Sequence, residues 1–170
     1  HAGRTADICI ELANYFRIHD IEVANLETAA LLKNVGLAIN DEILTTDIDV
    51  QTRAALVTAQ VIRKSDKYSR VASIIETHVI EYSSIVNGEP SRNNDLVAMI
   101  LRIASDYELY SRQKKNFGID ALNVINQNVF NNVYPLELAE ALENGLEYEQ
   151  NKHLIDPMAY SFHITEGALV

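Results

Sequence analysis

The chain has 170 residues, 48% hydrophobic and 22% charged, the balance of an ordinary globular protein long enough for one domain with its own core. No apolar run approaches the roughly 20 residues that a membrane span needs. The net charge of −10, from 24 acidic and 14 basic residues, repels a phosphate backbone unless the bases cluster. The two basic clusters, Arg63-Lys64 with Lys67 and Arg112 with Lys114-Lys115, read as solvated helix ends, so nucleic acid is not an expected partner.

Helical periodicity runs through nearly the whole chain. In the first segment Ile8, Leu12, Tyr15 and Phe16 form one stripe, and Cys9 falls among apolar neighbours as a buried thiol suited to a reducing compartment. His19-Asp20 follows in a link that reads as a surface loop. The second segment, Ile21 to Val35, contains the apolar run Ala29 to Leu32, too uniformly apolar for a surface helix, which places it centrally. Asp47 or Asp49 can cap a third helix, whose Val50, Ala54, Val57 and Val61 share a face. In the fourth, Val71, Ile74, Ile75, His78, Val79 and Tyr82 make the cleanest stripe in the chain.

Turn chemistry interrupts the pattern at SSIVNGEPSRNN, residues 83 to 94. A long fifth helix is expected from about Asn94 to Gln113, with Leu96, Ile100, Ile103, Tyr107 and Tyr110 aligned, then a loop from Lys114 to Gly118. A sixth runs from about Ile119 to Phe130, and Pro135 suits the first turn of a seventh, where Glu137 and Glu140 complement the helix dipole. Residues 152–170, with Pro157, His153, His163 and the β-prone YSFHI, read as a connector or tail. The expected class is all-α, with a helical domain over residues 1–151. The chain opens on His1 rather than Met and reads as a piece of a longer protein.

One stretch combines these features oddly. LLKNVGLAINDEIL ends an apolar helix in Lys33-Asn34 and a glycine, Gly36. It resembles the core of the HD superfamily of metal-dependent phosphohydrolases, and within it the HD-GYP branch, where the frame reads LLHDIGKIGIPDEIL, one residue longer. HAGRTA, from His1, resembles the branch's leading H-x-x-R-V-A. NGEP, Asn87, Gly88, Glu89 and Pro90, stands where the branch has its G-Y-P loop. AMILRIASDYELY (Ala98 to Tyr110) and VYPLELAEAL (Val133 to Leu142) resemble its later helices. The four segments agree in order over residues 1 to 142, and the resemblance implies an HD-like bundle of about seven helices.

The resemblance also implies where a metal site would lie. That branch hydrolyses cyclic dinucleotides with iron or manganese, which lower the pKa of a bridging water and clamp the phosphate. The leading histidine falls on His1, the His-Asp pair on Lys33 and Asn34, a third-helix histidine near Ala54, the paired histidines near Thr77-His78, and the late aspartate on Ser105. Asp106 is adjacent, but one helical position is a rotation of about 100°, so it is expected to point elsewhere. His1 and His78 are the residual metal candidates. An ammonium has no lone pair for a metal, and Asn34 offers only a neutral carbonyl oxygen. The resemblance is therefore to a degenerate HD-GYP domain, with no catalytic residues and no cofactor expected. Lys33 is either a substitute cation in the emptied metal site or a side chain that snorkels to the surface.

The expected function is a non-catalytic regulatory or protein-interaction module of bacterial cyclic-di-GMP signalling, cytoplasmic, with GGDEF, receiver or sensory domains, or a second copy, as partners. The NGEP loop is then a possible partner contact, although a plain turn is the simpler reading. The alternative is an iron- or manganese-dependent phosphohydrolase with a site remodelled from His1, Asn34, His78 and Asp106. A receptor that still binds a cyclic dinucleotide through Arg53, Arg63, Arg102 and Arg112 is a further reading. On its apolar stripe, His78 also reads as a hydrogen-bonded core residue.

Overall fold

A computed structural model of the chain describes residues 2–39, 48–86, 95–117, 120–149 and 151, with the backbone alone for 38–39, 80–86 and 113–117. His1, the loop Asn87, Gly88, Glu89 and Pro90, and the tail 152–170 lie outside the described residues.

Helices follow one another in the order α1 (Ala2–Tyr15), α2 (Asp20–Leu32), α3 (Val35–Ile39), α4 (Ile48–Ile62), α5 (Ser69–Val86), α6 (Leu96–Phe117) and α7 (Ala121–Phe130), with a 3₁₀ turn at Asp66–Tyr68. A last helix, α8, covers residues 136–149. The fold is all-α, and no strand occurs among the described residues. The seven expected helices are present in order, and α3 is an added single turn directly after Lys33-Asn34. No helix among the described residues is long and apolar enough to cross a membrane.

The core forms where the stripes meet. Ile8, Cys9 and Leu12 of α1, Leu26, Ala29 and Ala30 of α2, Val71, Ile74 and Ile75 of α5, and Ile100, Leu101 and Ile103 of α6 join one buried cluster, closed by Ile125 of α7 and Leu138 of α8. α6 is the axis of this arrangement, packing on α1, α2, α5 and α7. Its N-terminus is capped by Asp95, whose carboxylate accepts from Val97 N at 3.1 Å. The same carboxylate takes Arg70 Nη1 at 2.7 Å, while Arg70 Nε reaches Glu22 at 3.0 Å, so one guanidinium ties α5 to α2 and α6.

Several expectations change in detail. The central placement of α2 holds for one face only, since Leu31 is 45% exposed. On α4, Val57 and Val61 are exposed and Ala54, Ala55, Thr58 and Ala59 are buried. α3 packs closely on α4 there: a Cβ on Gly36 would lie 2.3 Å from the carbonyl oxygen of Ala54. Residues Lys114 to Phe117 are helical, not a loop, because α6 continues past its core contacts. His19 caps α2, its ring accepting from Ile21 N at 3.4 Å.

Candidate functional site

The segment after α2 is held by its backbone. Lys33 is the C-cap of α2, its N–H bonded to Ala29 O at 2.9 Å. Gly36 N donates to Thr58 Oγ1 at 2.9 Å, and the Thr58 hydroxyl lies 2.9 Å from Ala54 O and 3.4 Å from Lys33 O. One buried threonine thus pins the Lys33-Asn34-Val35-Gly36 turn to α4, and the missing side chain of Gly36 permits the approach.

Pinned there, Lys33 projects inward and keeps only 6% of its surface. It lines a cavity of about 40 Å³ together with Asn34, Gln51, Thr52, His78, Arg102, Ser105 and Asp106. Lys33, Asn34, His78 and Ser105, residues from three separated segments that the sequence marks, therefore meet at one place. Ala54 does not line it; its neighbour Ala55 does, and Ala54 spends its position on the contact with Gly36. Asp106, expected to point elsewhere, borders the cavity beside Ser105. A cavity set against the flank of a helix spans more than 100° of its surface, so consecutive residues both reach it.

The electrostatics follow from burial. Lys33 Nζ donates to Asn34 Oδ1 at 3.3 Å. Desolvation pulls its pKa down to about 8, against the opposing pull of Cys9, Asp106 and Glu108. His78 Nδ1 donates to the carbonyl of Ile75, which fixes the tautomer with Nε2 unprotonated. Burial, with Lys33 and Arg102 nearby, holds this imidazole well below its ordinary pKa and hence neutral. Asp106 is raised by burial, opposed by Arg102. Arg102 Nε lies 3.0 and 2.9 Å from the two Asp106 oxygens, and Arg102 Nη1 donates to His78 O at 3.0 Å. Asn128 Nδ2 adds a contact to Asp106 at 3.3 Å. Burial pushes the Cys9 thiol up to about 12. A second buried carboxylate, Glu108, is 3.4 Å from Arg112 and 3.5 Å from Arg4.

No family model, curated protein or solved structure matches this chain. The site is therefore read from its own residues.

Among the described residues, no three His, Cys, Asp or Glu side chains are placed to hold one metal ion. The four arginines considered for an anionic ligand do not share a surface: Arg102 is buried on Asp106, Arg112 pairs with Glu108, Arg63 pairs with Glu76, and Arg53 is exposed. The pairing of Arg102 with Asp106 was missed as a unit, although its i, i+4 spacing is a visible signal. Thr58 gave none, since its role depends on the approach of α3. A larger groove of about 570 Å³ lies between α1 and α8, lined by Asp7, Leu12, Tyr15, Leu142 and Leu146 among others, and shares no residue with the Lys33 cavity.

Proposed function

We propose that this chain is a non-catalytic regulatory or protein-interaction module of bacterial signalling, with an HD-type helical core, linked to cyclic-di-GMP pathways. One observation carries the reading: the Lys33 ammonium is buried in a cavity at the position where the sequence resemblance puts a metal-binding histidine. A protonated amine has no lone pair for a metal and repels a divalent cation. The only carboxylate lining the cavity among the described residues, Asp106, is engaged through both oxygens by Arg102. The cavity volume of about 40 Å³ accommodates about three waters, far below the roughly 300 Å³ of the smallest typical small-molecule sites. What remains for such a domain is its surface and its contacts with GGDEF, receiver or sensory domains, or with a second copy.

A second reading, an iron- or manganese-dependent phosphohydrolase, is favoured by one specific observation. Asn34, His78 and Asp106 border the same cavity, and the His78 tautomer leaves Nε2 with a lone pair. It requires Arg102 to release Asp106 and Lys33 to withdraw. Elemental analysis of the domain expressed in iron- and manganese-supplemented medium, cyclic-di-GMP hydrolysis and calorimetric titration with GGDEF, receiver and sensory domains separate the two. Negligible metal, no hydrolysis and saturable binding to such a domain support the regulatory role. Stoichiometric iron or manganese with hydrolysis supports the enzyme.

A further inference from the structure

The groove between α1 and α8 is an apolar feature that the Lys33 site does not use. Ile8 and Leu12 of α1 and Leu142 and Leu146 of α8 line it, and beside them Tyr15 and Tyr148 are 62% and 67% exposed. Exposed aromatic rings next to buried aliphatic side chains make a surface that gains free energy from being covered. The groove volume of about 570 Å³ falls in the range of sites that enclose a bound group. Along α1 its lining runs from Arg4 to Tyr15, a length of about 16 Å at the helical rise.

One stretch of the sequence has a matching pattern. Met158, Tyr160, Phe162 and Ile164 alternate with Ala159, Ser161, His163 and Thr165, the period of an extended segment with one apolar face. From Met158 to Ile164 that face measures about 20 Å at the extended rise, close to the length of the groove. The described residues include no strand with which such a segment could pair. Met158 to Thr165 holds no Asp or Glu, so Asp7 and Glu149 in the groove lining do not repel it. Position favours the same match. Tyr148 and Glu149 of α8 line the groove, and residues 152–157 supply an extended reach of about 20 Å in which to reverse and return along it. Tethering at the groove wall gives the segment an effective concentration on the order of mM, above that of any second chain in dilute solution.

We propose that the α1/α8 groove is a docking site for this chain's own residues 158–165, with Met158, Tyr160, Phe162 and Ile164 turned toward Leu12, Leu142 and Leu146. The segment covers the groove in the same molecule and closes it to other apolar partners until it is displaced. The proposal goes beyond the regulatory role and does not rest on it.

The test places a reporter in the full chain. The sequence has no tryptophan, so Phe162→Trp introduces a single one. Its emission and its quenching by acrylamide are measured over a range of protein concentrations, alone and combined with Gly145→Arg. A Cβ at Gly145 meets only the flexible end of Glu11, at 3.5 Å, so the arginine enters the groove without a backbone clash. Expected are a blue-shifted emission and a quenching constant several-fold below that of free tryptophan amide, both independent of protein concentration and both lost with Gly145→Arg. Emission and quenching of an exposed indole overturn the proposal. So does protection that survives Gly145→Arg, which places the segment elsewhere. Protection that appears only as concentration rises, together with a dimeric mass in sedimentation, also overturns it and assigns the groove to a second copy. Should Gly145→Arg not fold by circular dichroism, Tyr15→Glu, at an exposed side chain of the groove, takes its place with the same expected loss.

Discussion

Replacing Lys33 by methionine tests the energetics of the buried charge. Methionine keeps much of the side-chain volume and removes the ammonium. Burial lowers the Lys33 pKa from 10.5 to about 8, and at about 1.4 kcal/mol per unit the protonated lysine costs the fold roughly 3 kcal/mol. The sign is fixed by linkage. Below about pH 8 both folded and unfolded chains carry the proton, and the cost is present in full. Between about pH 8 and 10.5 the unfolded chain binds more protons than the folded one, so this contribution to stability rises with pH. Cys9 acts in the opposite sense: its thiol is raised from 9.0 to about 12, so stability falls as the unfolded thiol ionises above pH 9. The other charged or titratable groups facing Lys33 are Asp106, Glu108, Arg102 and Arg112 of α6 and His78 of α5. The comparison is therefore made as a difference in urea unfolding free energy between wild type and Lys33→Met, in a Cys9→Ala background, at intervals from pH 7 to pH 10. The methionine variant is expected to be more stable by up to roughly 3 kcal/mol at pH 7, with the gap closing as pH rises. Parallel profiles, with a gap that does not change with pH, refute the buried-ammonium account.

Three further outcomes follow from the packing. Gly36→Ala places a Cβ 2.3 Å from the Ala54 carbonyl oxygen and should cost about 1–3 kcal/mol in urea unfolding, because backbone must move on both sides. Asp106→Asn keeps an acceptor for Arg102 but removes the negative charge paired with its buried guanidinium. A loss of about 3–5 kcal/mol is expected, and a loss within about 0.5 kcal/mol would show that the guanidinium is balanced elsewhere. Arg17 has φ of 54° in the turn after α1, where Ile18 N reaches Ala13 O at 2.9 Å. Arg17→Gly should raise Tm through a gain of about 0.5–1 kcal/mol, read by scanning calorimetry.

Periodicity and hydropathy made the helices legible, and most clearly where size and polarity agree. On α5, Val71, Ile74, Ile75, His78 and Val79 are all buried as their stripe requires. On α4 the two signals diverge. Val57 and Val61 are the more hydrophobic residues, yet Ala54, Ala55, Thr58 and Ala59 face inward, where α3 packs with Gly36 against the Ala54 backbone. That constraint is set by a partner helix and leaves no mark in the hydropathy of α4 itself. The end of α6 failed for a related reason: Lys, Gln and Arg are good helix formers, so a polar turn beyond the core resembles a loop in pattern while remaining helical. At the cavity, residue types were a better guide than angular position. Lys33, Asn34, His78 and Ser105 line one cavity, and Asp106, set aside on a rotation argument that treated the cavity as narrower than it is, borders it too.

The Lys-Asn pair at the end of α2 also separates two things that a sequence motif combines, a position and a chemistry. The position is fixed by Gly36, Thr58 and Ala54, which bind the turn to α4 through hydrogen bonds and close approach. None of those contacts depends on the side chains at 33 and 34. A lysine placed there is carried inward by the backbone, and its four-carbon stem packs in the interior whether or not its charge is well satisfied. Asp106 and Glu108 offset part of that cost, while also pairing with Arg102, Arg112 and Arg4. The backbone contacts of this turn thus set where the two side chains go, while the residues carried there set the charge that the cavity presents.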